Sequence, residues 1–212
     1  MFLDHYLEPS LPTTPLIQAA FNDKLGEVTR LVEAEGVNLE DTGFDKRSTA
    51  LVASAYLSRI NIMKYLINQG ANVQATNISG MTSLHIAVYM HDLEYVRQQL
   101  RFSTEALEVP DDCGVLPILN KCLYDRELIA FIRKLTEERF GDRDQADPSK
   151  VIELLVENGA ELDQTKDGLY PIELAFTFGQ IGVVTYLRDK HSPEIRFEPF
   201  MHYYKEGNLF FC

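Results

Sequence analysis

Apolar residues return in a fixed phrase along this chain. Thr14-Pro15-Leu16-Ile17-Gln18-Ala19-Ala20 reappears as Thr49-Ala50-Leu51-Val52-Ala53-Ser54-Ala55 and as Thr82-Ser83-Leu84-His85-Ile86-Ala87-Val88. Leu116-Pro117-Ile118-Leu119 and Tyr170-Pro171-Ile172-Glu173-Leu174-Ala175 are worn copies. The copies begin 35, 33, 34 and 54 residues apart. A fixed period of this size means stacked supersecondary units, each too small to bury its apolar face alone.

Within each unit the phrase predicts a short first helix. Thr can cap it, its hydroxyl accepting from an unpaired backbone N–H. Pro suits the first helical position, where its missing N–H costs nothing. Leu points into the stack, and the Ala pair lets a second helix approach. That second helix is predicted by apolar spacing over Leu25–Val32, Ile60–Ile67, Leu93–Val96, Val151–Val156 and Ile181–Leu187. Gly36, Gly70 and Gly159 follow, each suited to the left-handed conformation that closes a helix. Gly70-Ala71-Asn72-Val73 and Gly159-Ala160-Glu161-Leu162-Asp163 then lead into polar turns.

On these Thr-Pro-Leu-(His)-x-Ala and Gly-Ala-Asn-Val phrases the chain resembles the ankyrin-repeat family over about residues 13 to 190. The resemblance implies an all-α solenoid of about five helix-turn-helix repeats. It also implies hairpin fingers between repeats, and an imidazole at His85 that ties adjacent turns together. Small, acidic, single-module ankyrin proteins of this kind resemble bacterial ones. One domain is expected over 1–212, with residues 1–12 as an N-terminal cap and 191–212 as a C-terminal cap or tail.

The fourth unit is too long for the period. Asp125 to Leu135 has helical spacing, with Leu128, Phe131, Ile132 and Leu135 on one stripe. Glu137 to Asp147 is a charged run containing Gly141, and Pro148 stands where the next helix begins. A helical insertion over about 125–148 is expected between the two helices of repeat four. It either extends a binding face or decorates the surface. The aromatic end of the chain (Phe197, Phe200, Tyr203, Tyr204, Phe210, Phe211) is expected to cover the open end of the last repeat. A partner-docking tail or dimer contact is the alternative.

Acidic residues number 32 against 20 basic ones, a net charge of -12. This argues against nucleic acid and against anionic membrane surfaces, both of which need a basic footprint. It suits either a basic protein partner or simple solubility. No apolar stretch is long enough to span a membrane, and the start of the chain does not read as a signal peptide. Cys113, Cys122 and Cys212 form no disulfide framework. A reducing cytoplasm is therefore expected, with delivery into a host cell open for an effector.

No phosphate loop or nucleophile elbow is present. The histidines are scattered, and His85 and His91 do not share a helix face as zinc ligands would. Cys113 falls in a finger and Cys122 on a face expected to be buried; neither has an assignable His partner. No enzyme, cofactor or metal is expected.

In the ankyrin family the concave side is built from the fingers and the last turn of each first helix. Counting from the Thr position places Phe21 and Asn22, Tyr56 and Leu57, Tyr89 and Met90, Leu123 and Tyr124, and Thr177 and Phe178 there. Asp23, Asp92 and Asp125 lie beside them. The same count puts Asp45, Lys46, Ser48, Ile78, Ser79, Met81, Asp112, Cys113, Val115, Lys166, Asp167 and Leu169 in the fingers. An exposed aromatic ladder of this kind suits an interface hot spot; the alternative is that some of these side chains turn inward. The expected function is capture of a protein partner. It would act as an inhibitor or immunity protein for a basic toxin, or as a secreted effector engaging a host protein. An enzyme acting through the insertion or tail is a remote third reading.

Overall fold

A computed structural model describes residues 13–43, 47–123, 148–163, 166, 168–178 and 180–191. The expected N-terminal cap, the helical insertion expected over about 125–148 (up to residue 147) and the aromatic tail lie outside the described residues.

Helices come in pairs along the chain. They are α1 (Pro15–Phe21) and α2 (Leu25–Glu35), α3 (Ala50–Tyr56) and α4 (Ile60–Asn68), and α5 (Ser83–Tyr89) and α6 (Leu93–Phe102). Then come α7 (Pro117–Leu123), α8 (Pro148–Glu157), α9 (Pro171–Thr177) and α10 (Ile181–His191). The first helices α1, α3, α5, α7 and α9 pack on one another in sequence. The second helices α2, α4, α6, α8 and α10 form a parallel layer in the same order. The described residues therefore form a two-layer all-α stack.

Each first helix has only seven residues. That is too short to persist alone, so packing holds it. Local signals fix where it starts. The hydroxyls of Thr14, Thr49 and Thr82 accept from the backbone N–H of Ile17, Val52 and His85. Tyr170 stands where repeats one to three have Thr, and the Glu173 carboxylate reaches back to its N–H at 2.6 Å. Leu16, Leu51, Leu84, Ile118 and Ile172 are all buried, as the repeated phrase predicts.

Gly36, Gly70 and Gly159 end or follow α2, α4 and α8 with φ of 62°, 89° and 98°. This is the left-handed region that glycine enters without a Cβ clash. Asp23, Ser58 and His91 adopt φ near 56° in the tight turns from α1 to α2, α3 to α4 and α5 to α6. Fingers precede the later first helices. They are pinned by antiparallel bridges at Gly43 and Ser48, Thr76 and Thr82, and Lys166 and Leu169. The finger before α7 closes instead through Asp111 N–H donating to the Val115 carbonyl.

Candidate protein-binding face

Two of the fingers share one construction. The side-chain oxygen of Asn77 accepts from the backbone N–H groups of Ser79 and Met81, both at 2.9 Å. The Asp111 carboxylate does the same for Cys113 and Val115 at 2.9 and 2.8 Å. An Asx side chain two residues ahead of the N–H it satisfies is a local turn former. Gly80 and Gly114 sit three residues after these Asx positions with φ of 74° and 75°. Asn77 also donates from Nδ2 to the Tyr56 hydroxyl at 2.8 Å. The finger is thereby fixed to α3, the first helix of the preceding repeat.

The fingers are tied laterally as well. Asp112 N–H donates to the Ser79 carbonyl at 3.1 Å. A Cβ on Gly80 would lie 2.3 Å from that same nitrogen, so only glycine permits this approach. Arg47 donates to the Thr76 hydroxyl at 2.9 Å and to the Asp112 carboxylate at 3.3 Å. One guanidinium therefore links three successive fingers. Lys166 extends the row, donating to the Cys113 carbonyl at 2.9 Å. Repeat three is joined to the next finger inside the stack by His85. Its Nε2 lies 2.9 Å from the Val115 carbonyl, and Nδ1 receives the Thr82 N–H at 3.2 Å. Burial holds this imidazole below its ordinary pKa, so it is neutral.

On this frame the predicted residues divide. Ile78 is 55% exposed at the tip of its finger. Asn22, Asp23 and Asp112 are exposed. Phe21, Tyr56, Met81, Tyr89, Met90, Lys166 and Phe178 are half-buried. Tyr56, Met81, Met90 and Phe178 lean on the core, and burial raises the Tyr89 hydroxyl pKa. Tyr124, Asp125 and Asp167, with Asp45 and Lys46, lie outside the described residues, as do the side chains of Cys122 and Leu123.

Two expectations are corrected. Leu57 is 5% exposed, so it belongs to the core and not to a binding ladder. It stands just past α3, where the chain turns toward the second layer, and burying a leucine gains about 1.5–3 kcal/mol. Asp92 is also buried, and its carboxylate accepts from Tyr95 N–H at 3.0 Å. It is the N-cap of α6, where a carboxylate meets otherwise unpaired N–H groups.

The acids beside the aromatics are already engaged. Asp23 lies 3.5 Å from Arg59, and Asp112 pairs with Arg47. Arg59 also donates to the Phe21 carbonyl, tying the first turn to the second. Among the described residues the first helices, their turns and the fingers hold Asp23, Asp92, Asp111, Asp112 and Glu173. Lys24, Arg47, Arg59 and Lys166 nearly balance them. The acidic surplus instead lies in the connections after the second helices, at Glu40, Asp41, Glu105, Glu108, Glu161 and Asp163. Arg47, Arg59 and Asn77 were not singled out by sequence reading. The Asn-x-Ser-Gly spacing could have flagged Asn77, but which cation of Lys46-Arg47 spans the fingers depends on distant residues.

Cys113 is an exposed free thiol whose backbone N–H is held by Asp111. Among the described residues no group of His, Cys, Asp and Glu is placed to hold a metal ion, and no helix is long and apolar enough to cross a membrane.

The family profile described as ankyrin repeats (3 copies) matches residues 10–101. Repeats of that family generally mediate protein–protein interaction.

Proposed function

From the premise that this is an ankyrin-repeat protein, we propose that the chain works without catalysis, by binding another protein on the face made of its fingers and first helices. The observation that carries this is the alignment of half-exposed apolar side chains with a fixed finger row. Phe21, Tyr56, Tyr89, Met90 and Phe178 recur at matching places, and Ile78 projects from a finger held by Arg47 and Asp112. Aromatic side chains with few rotors, two of them tyrosines with a polar tip, lose little entropy on binding from a surface already ordered. That combination suits hot-spot contacts.

The partner is expected to be a protein with a basic surface. The surplus acids in the connections after the second helices raise the long-range attraction, while the nearly balanced face makes the contact. In the form we favour, the chain occludes a basic protein as an inhibitor or immunity protein does. The test is affinity capture with mass spectrometry, followed by binding of the recovered partner to Ile78→Asp and Tyr89→Ala. The variants should keep their helical circular dichroism and lose the partner. Retained binding by both would refute the assignment of this face.

A further inference from the structure

Repeat three differs from the others inside its core. Gln99 is fully buried at a position where the equivalent residues are the buried leucines Leu31, Leu66, Leu155 and Leu187. Tyr95 is fully buried where other repeats place Ile62, Val151 and Val183. Ser83 stands where they have Pro15, Ala50, Pro117 and Pro171.

These polar groups form one chain across the two layers, the Ser83 and Tyr95 side chains being hydrogen-bonded to each other. Gln99 Nε2 donates to the Ser83 hydroxyl at 3.0 Å. The Tyr95 hydroxyl meets that of Ser54, in repeat two, at 2.8 Å. Ser54 in turn donates to the Leu51 carbonyl at 2.7 Å. At the other end the chain is incomplete: Gln99 Oε1 is buried without a hydrogen-bond partner. A buried acceptor left unpaired loses its hydration with nothing in return, and opening to water restores it. Leucines at the same position gain from staying closed.

We propose that α6 is the breakpoint of the second-helix layer, opening in a local transition while α4 stays closed. Among the described residues the other buried acceptor without a partner, Asn120 Oδ1, lies on a first helix. In a solenoid, stability is a sum of repeat and nearest-neighbour terms, so one weakened unit opens independently. The prediction runs against position. The helix α4 lies nearer the described end of the stack, and fraying alone would leave it the less protected of the two. Because α6 packs against α5, which carries Tyr89, the breakpoint lies directly beneath the proposed binding face.

Native-state hydrogen exchange on the full chain, read by NMR, tests this. The amides of Val96 to Leu100 should exchange about tenfold or more faster than those of Met63 to Ile67, the ratio expected for one unpaired buried polar group. Gln99→Leu should remove the difference, and Gln99→Met provides a second, unbranched replacement if the leucine does not fit. Equal or greater protection of α6 in the unaltered chain would overturn the proposal. So would fast α6 exchange that persists in the Gln99 variants.

Discussion

His85 Nε2 and the Val115 carbonyl oxygen meet at 2.9 Å across 30 residues of sequence, joining repeat three to the finger of repeat four. The same ring caps its own helix through Thr82. Replacing His85 with Ala removes a buried side chain and leaves the Val115 carbonyl unpaired. The expected cost is about 2–4 kcal/mol, measurable by urea unfolding. Because burial holds the folded imidazole below its ordinary value of 6.5, the unfolded chain takes up a proton first as pH falls. This contribution to stability is complete above pH 6.5 and declines below it. His85→Asn should flatten that part of the profile.

Glu108 behaves oppositely. Its carboxylate accepts from the Glu161 N–H at 3.1 Å. Burial, aided by the charges of Glu161 and Asp163, nevertheless raises its pKa above 4.5. The folded state therefore binds this proton more readily, and the ionised group costs stability at neutral pH. Glu108→Gln keeps an acceptor for Glu161. It should raise the midpoint of thermal unfolding slightly at pH 7, by about a few tenths of a kcal/mol after solvent screening, and lose that advantage in acid.

Ser58 holds φ at 56° in the turn between α3 and α4. A side chain in this region is strained, and glycine relieves the strain at some entropic cost in the unfolded chain. Ser58→Gly should stabilise the protein by about 0.5–1 kcal/mol. Asp23→Gly should gain less, because it also removes the contact with Arg59.

Gly80 and Gly36 separate conformation from space. Both have positive φ, 74° and 62°, but a Cβ at Gly36 meets nothing within 4 Å while one at Gly80 strikes Asp112. Gly36→Ala should cost about 1 kcal/mol. Gly80→Ala should cost at least about 2 kcal/mol, because the fingers must also part. Paired denaturation curves give the comparison.

Local chemistry made most of the stack legible in advance. The threonine caps, the glycines after α2, α4 and α8, and the start of α8 at Pro148 all depend on neighbours a few residues away. Even the tie made by His85 was implied, by the resemblance to ankyrin repeats. The site was less legible, because its properties are set across repeats. Periodicity places Leu57 and Asp92 at a helix end but cannot say that one turns into the core and the other caps α6. The acids beside the aromatics read as a steering field in the sequence, but Arg59 lies against Asp23 and Asp92 caps α6. Gln99 was visible as a departure from leucine, yet its unpaired oxygen depends on how α5 and α6 meet.

The most direct test of partner binding on the finger and first-helix face is the dissociation constant of the captured partner for three variants of the full chain. Ile78→Asp and Tyr89→Ala should each weaken binding by about 30-fold or more, the loss expected at a hot spot of about 2 kcal/mol. Glu35→Lys, on the exposed second-helix side, should leave the dissociation constant within about threefold in physiological salt. The reverse pattern, with Ile78→Asp and Tyr89→Ala binding normally and Glu35→Lys failing, would place the interface on the other side of the stack.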